Sequence, residues 1–113
     1  MNKLLIIMDD WEKLERFEER FRPHFEVITA PGGDYAIETA LDQRPDLILA
    51  CLAFEAMDER TLQIELRGHE LLAQTPVVYL SEEHGENANP TDLDVVIQQP
   101  AHFELILETL QKF

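Results

Sequence analysis

Three side chains that could bind metal or react follow two apolar runs of the chain. Asp9 and Asp10 follow the run Leu4–Met8, and Cys51 follows the run Leu47–Ala50. Carboxylate oxygens suit a divalent cation such as Mg²⁺, whereas a thiol is neutral at its ordinary pKa and its sulfur is a poor magnesium ligand. No basic residue in the motif around Cys51 would lower the pKa of its thiol, and two neighbouring carboxylates would disfavour the thiolate. A reactive cysteine is therefore not expected, and Cys51 is more simply a small buried hydrophobic residue at the end of a strand.

Hydrophobic periodicity predicts strands that alternate with helices. Apolar runs mark five strands, over Leu4–Met8, Phe25–Thr29, Leu47–Leu52, Thr75–Leu80 and Val95–Gln98. Helical spacing marks four helices, carried by Trp11, Leu14, Phe17 and Phe21, by Tyr35, Ala36, Ile37, Ala40 and Leu41, by Leu62, Leu66, Leu71 and Leu72, and by Phe103, Ile106, Leu107 and Leu110. Asp9 or Asp10 is expected to cap the first helix, where the aromatic residues are expected to pack against the sheet.

This alternation indicates an α/β domain with a parallel sheet, because strand–helix–strand connections are right-handed crossovers. Five strands favour a flavodoxin-like, three-layer sandwich with strand order 2-1-3-4-5. In that order the chain reverses its winding direction beside the carboxyl ends of the first and third strands. Asp9, Asp10 and Cys51 would then meet at one edge of the sheet.

The segment between the fourth and fifth strands departs from the alternation. Residues 82–94 have almost no apolar periodicity, and Asn89-Pro90 can begin at most a short helical turn. We therefore expect the helix between these strands to be shortened or missing.

Length and charge limit the classes of protein to consider. The chain has 113 residues, of which 45% are hydrophobic, and a formal net charge of −14. We expect a single domain over residues 1–113 without an output domain. The negative charge disfavours binding to nucleic acid or to anionic membranes, so the expected partner is a protein. One cysteine and no long apolar stretch favour the cytoplasm.

Motifs along nearly the whole chain resemble a known family. They are Asp9-Asp10 after the first strand, the loop Thr29–Ala36, the segment Pro45–Leu49, Met57-Asp58 after the third strand, Pro76–Ser81, and Gln99-Pro100. Their order and spacing resemble the CheY-like receiver domain of two-component response regulators. The resemblance implies that Cys51 stands at the phosphoacceptor aspartate, that Asp9 and Asp10 are the acidic pair, and that Ser81 is the switch hydroxyl.

The departures from the family pattern cluster in its site. Cys51 replaces the phosphoacceptor, and Gln99 replaces the lysine that neutralises phosphoryl oxygens in the family. Val96 stands where a switch aromatic is frequent. Glu55 and Glu59 occupy the usual proline and glycine positions of the loop after the third strand. The resemblance therefore implies a pseudo-receiver that has lost its phosphorylation chemistry and is not an enzyme.

The leading hypothesis is a phosphorylation-independent pseudo-receiver that acts in bacterial signal transduction through protein–protein interaction, as an adaptor or a homodimer. The alternative is a redox or small-ligand sensor that uses Cys51 in the vacated pocket. Weak Mg²⁺ binding at Asp9 and Asp10 stays open, although no metal or other cofactor is expected. A hydrolase is disfavoured because no nucleophile and base pair can be named.

Overall fold

The computed structural model of the chain describes residues 2–51, 59–81, 95–98 and 102–113. Its elements, in chain order, are β1 (Lys3–Met8), α1 (Trp11–Phe21), β2 (Glu26–Ala30), α2 (Gly33–Gln43), β3 (Leu47–Cys51), α3 (Glu59–Gly68), β4 (Val77–Ser81), β5 (Val95–Gln98) and α4 (Phe103–Gln111). The predicted alternation of strands and helices is therefore confirmed.

The five strands form one parallel sheet with the order β2-β1-β3-β4-β5. This is the predicted flavodoxin-like order, and it places β1 and β3 side by side at the centre. β1 and β3 pair from Leu4 with Leu47 to Met8 with Cys51. Since both strands are covered on two faces, their residues are almost all buried, which explains their continuous apolar sequences.

The core divides into two clusters because successive residues of a strand point to opposite faces of the sheet. One cluster includes Leu4, Ile6, Met8, Leu49 and Cys51 and is covered by residues of α1 and α4. The other includes Leu5, Ile7, Ile48, Ala50 and Tyr79 and is covered by residues of α2 and α3. The sheet thus separates two helical layers.

Four phenylalanines join α1 to α4 within the first cluster. The Phe21 ring lies 4.8 Å from Phe103, 5.8 Å from Phe17 and 6.1 Å from Phe25, between ring centroids. The Arg20 guanidinium lies 4.3 Å from the centroid of the Phe103 ring, where the negative face of the ring attracts a cation. These contacts hold together the two helices that cover one face of the sheet.

A buried hydrogen bond joins α3 to β4 on the other face. The Tyr79 hydroxyl donates to Oε1 of Gln63, and both side chains are buried. Burying these polar atoms costs little free energy because they are hydrogen-bonded. The pair therefore fixes the position of α3 on the sheet.

Two expectations for helical residues were wrong. Trp11 is 61% exposed instead of packing against the sheet, because it is the first residue of α1 and lies beyond the end of β1. α3 ends at Gly68, so Leu71 and Leu72 follow the helix instead of continuing it. The Arg67 guanidinium donates to the carbonyls of Leu72, Ala73 and Thr75 at 3.0–3.2 Å and holds this turn in place.

The C-terminal end of α2 offers a stabilising substitution. Arg44, which follows α2, has a left-handed backbone with φ 51° and ψ 64°, a conformation that glycine adopts without strain. We expect Arg44→Gly to raise the free energy of unfolding by about 0.5–1 kcal/mol, because relief of strain exceeds the added chain entropy. Urea denaturation would measure this change.

Arg22 provides the matched control for that substitution. It is the exposed residue after α1, with a right-handed backbone of φ −50° and ψ −40°. Arg22→Gly should therefore lower the free energy of unfolding by about 0.5–1 kcal/mol, because it adds chain entropy and removes the 3.1 Å ion pair with Glu18 without relieving strain. A shift of the same sign in both variants would contradict the assignment of strain to Arg44.

The expected loss of a helix between β4 and β5 concerns residues 82–94, which lie outside the described residues. Among the helices of the described ranges, none has both the length and the apolar character that a bilayer crossing requires.

Candidate functional site

The acidic pair and Cys51 lie where the chain reverses its winding direction. β2 lies on one side of β1, and β3 lies on the other. Met8 pairs with Cys51 at the carboxyl ends of β1 and β3, and Asp9 follows Met8 directly. The fold therefore brings the acidic pair and Cys51 to the same edge of the sheet, in the crevice where doubly wound folds bind ligands.

Asp10 caps α1, and it is one of the two residues that were predicted as the cap. Its Oδ1 accepts hydrogen bonds from the backbone amides of Glu12 at 3.0 Å and Lys13 at 3.3 Å. These amides belong to the first turn of the helix, and backbone N–H groups of a first turn have no hydrogen-bond acceptor within the helix. The carboxylate of Asp10 is therefore oriented by the helix and remains exposed to solvent.

Asp9 is exposed and lies against the loop that follows β2. A Cβ placed on Gly32 would lie 3.4 Å from Oδ1 of Asp9. The sequence did not predict this contact, although Gly32-Gly33 after β2 indicates a turn in which the backbone can approach closely. The close approach sets the start of α2 beside the acidic pair.

Cys51 is buried, with 4% of its surface exposed. It belongs to the cluster that also contains Met8, Leu49 and Leu80, on the face covered by α1 and α4. A cysteine in such surroundings behaves as a small hydrophobic residue. Its thiol therefore contributes to packing at the end of β3.

The remaining predicted site residues are only partly described. Ser81 ends β4 and pairs with Gln98, and Val96 pairs with Tyr79, so both lie in the sheet as expected. Their side chains are outside what the structure describes. Gln99 and residues 52–58, which include Glu55, Met57 and Asp58, also lie outside the described residues.

The exposed carboxylates of Asp9 and Asp10 could contact a cation. Mg²⁺ prefers oxygen ligands in an octahedral set, and Cys51 offers none at the third position. Within residues 2–51, 59–81, 95–98 and 102–113, no three side chains of the His, Cys, Asp or Glu type are grouped to hold a metal ion.

Comparison with curated proteins finds a transcriptional regulator. The chain is 31% identical over 91 residues to the transcriptional regulatory protein SrrA of Staphylococcus aureus. The match covers 79% of this chain and 36% of SrrA, so the chain spans about a third of the length of the curated relatives that it matches. No protein-family model matches the chain.

Comparison with solved structures finds receiver domains. The activated N-terminal receiver domain of RstA from Klebsiella pneumoniae superposes with a TM-score of 0.86 at 25% identity and covers 98% of this chain and 97% of its own. The chemotaxis protein CheY4 of Vibrio cholerae gives a TM-score of 0.88 at 22% identity, over 99% and 98% of the two chains.

A third similar structure contains a bound metal. The receiver domain of a sensor histidine kinase from Pseudomonas aeruginosa, which has a magnesium ion coordinated in its active-site cleft, gives a TM-score of 0.86 at 21% identity over 98% and 95% of the chains. Fold and strand order thus agree with the resemblance seen in the sequence. The chain has the CheY-like receiver fold that response regulators of two-component signalling use.

Proposed function

We propose that this chain is a phosphorylation-independent pseudo-receiver that acts in bacterial signal transduction through protein–protein interaction. The observation that carries the proposal is Cys51, a buried residue at the carboxyl end of β3 beside the acidic pair. Receivers carry the phosphoacceptor aspartate at the matching position of their sequence motif. A thiol cannot form the acyl phosphate that an aspartate carboxylate forms.

The loss of a second group supports the same conclusion. Gln99 stands at the position of the family's lysine in the Gln99-Pro100 motif. A neutral amide cannot form an ion pair with a phosphoryl group, which carries close to two negative charges. Loss of the acceptor together with its charge partner supports a domain that signals through contacts alone, without a metal or other cofactor.

The net charge supports a protein as the partner. A chain with a formal charge of −14 repels the phosphates of nucleic acids and of anionic lipids. The proposal therefore includes a protein partner, as an adaptor contact or a homodimer, in the cytoplasm. The redox-sensor alternative receives no support from the structure, because an oxidant must reach the thiol and Cys51 is only 4% exposed.

Phosphorylation independence can be tested directly. We expect the chain to remain unmodified when it is incubated with a small phosphodonor and Mg²⁺, as judged by the mass of the intact protein. A receiver that retains its phosphoacceptor aspartate, treated in the same way, should gain one phosphoryl group. A stable phosphorylated form of this chain would disprove the proposal.

A further inference from the structure

Two aromatic side chains are exposed at the edge of the sheet that carries the acidic pair. Trp11 and Tyr35 are each 61% exposed, in the first turns of α1 and α2. Both helices begin at this edge because each follows the carboxyl end of a neighbouring strand, β1 or β2. Exposed large aromatics are costly to leave in water and are enriched where proteins bind partners.

A close contact joins the residue after β1 to the residue before α2. Asp9 lies against Gly32, and the Tyr35 amide donates to the Gly32 carbonyl at 3.3 Å. Asp10 and Trp11 follow Asp9 directly. Asp9, Asp10, Trp11 and Tyr35 are therefore all within three residues of this contact, at the carboxyl edge of the sheet, and we call them the acidic-aromatic edge.

The charge of this edge indicates the kind of partner that it fits. Asp9, Asp10 and Glu12 are exposed, whereas the neighbouring Lys13 is half-buried. The chain as a whole carries a formal charge of −14, so an anionic segment would be repelled at this edge. Cations are attracted both by carboxylates and by the faces of aromatic rings, Trp most strongly.

We propose that the acidic-aromatic edge binds an arginine-bearing segment of a protein partner. A guanidinium can donate hydrogen bonds to a carboxylate and stack on an aromatic face, which matches both chemistries of the edge. This inference rests on the proposed function, because it specifies the chemistry of the protein partner through which the domain would act.

A defined peptide tests this binding with the full chain. The probe is a short synthetic peptide of alternating arginine and glycine, and the control peptide replaces each arginine by citrulline, its neutral analogue. Trp11 is the chain's single tryptophan, so its fluorescence should change on titration with the arginine peptide and not with the citrulline peptide. Calorimetry then gives the affinity of variants that lack Trp11.

The variants leave the net charge unchanged, which separates the edge from general attraction to an acidic protein. Trp11→Ala and Tyr35→Ala should each weaken binding roughly 2–5-fold, the range for an exposed cation–π contact. Leu71→Ala is the matched control, because Leu71 is 56% exposed and lies between α3 and β4, at the opposite edge of the sheet. It should leave the affinity unchanged.

Three results would overturn the inference: no binding of the arginine peptide, equal binding of the citrulline peptide, or unchanged affinity in both aromatic variants. Circular dichroism of each variant would confirm that it is folded, as expected for exposed positions. None of these results bears on phosphorylation, which the phosphodonor experiment decides separately. A negative result for peptide binding at the acidic-aromatic edge can therefore be distinguished from a negative result for the proposed function.

Discussion

Replacing Cys51 by aspartate is expected to lower the free energy of unfolding by roughly 2–4 kcal/mol at neutral pH. The new carboxylate would occupy a position with 4% exposure, at the edge of an apolar cluster. It would also stand at the end of β3 next to β1, whose end carries Asp9 and Asp10. Burial and like charge both disfavour its ionised form, and urea denaturation would measure the loss.

Cys51→Asn separates charge from shape, because asparagine has nearly the size of aspartate and no charge. We expect the aspartate variant to be the less stable of the two at neutral pH. Burial raises the pKa of the introduced carboxyl in the folded state. The loss in the free energy of unfolding is therefore at its full value above that raised pKa. The penalty should shrink as the pH falls toward the unfolded-state pKa. Equal stability of the two variants at all pH values would show that a carboxylate is accommodated.

Replacing Phe21 by alanine is expected to lower the free energy of unfolding by roughly 3–5 kcal/mol. The side chain is fully buried at 0% exposure, and its ring contacts Phe17, Phe25 and Phe103. Its removal would leave a cavity between α1 and α4 and remove stacking contacts. Because single domains have about 5–15 kcal/mol of stability in total, this loss is large.

Phe113→Ala is the matched control, since Phe113 is the last residue of the chain and is 49% exposed. Its change in the free energy of unfolding should stay within about 0.5 kcal/mol. Thermal and urea denaturation of both variants would compare them. A loss below about 1 kcal/mol for Phe21→Ala would mean that neighbouring side chains collapse into the cavity.

Elements defined by local patterns could be predicted from the sequence. Apolar runs bounded by acidic, proline or glycine residues located all five strands, since strands buried on two faces must be apolar throughout. The meeting of Asp9 and Cys51 at one edge followed from strand order alone. The cap of α1 could be narrowed to two residues, and the structure assigns it to Asp10.

Features that depend on where an element ends could not be predicted. Trp11 has the spacing of a core residue, but spacing does not show that the sheet ends beneath it. Leu71 and Leu72 continue the helical spacing past Gly68, although only Leu72 is buried, in a turn. The Tyr79–Gln63 hydrogen bond joins residues on separate elements, so no local pattern indicates it.

The sequence predicted the residue types of the candidate site, but it predicted less about the contacts around them. The resemblance to receivers predicts from the sequence that a thiol and an amide stand where the family has an aspartate and a lysine, and this stays a prediction. The burial of Cys51 was expected from its place at the end of a buried strand. The contact of Asp9 with Gly32 follows from the path of the loop after β2, which depends on tertiary structure.

Arg67 determines how many residues can connect α3 to β4. One of its guanidinium nitrogens reaches three carbonyls, those of Leu72, Ala73 and Thr75, so the length of this connection is matched to the reach of a single side chain. An inserted or deleted residue between positions 68 and 76 would move those carbonyls away from the guanidinium. In homologous sequences, an arginine at this position and a constant loop length should therefore occur together.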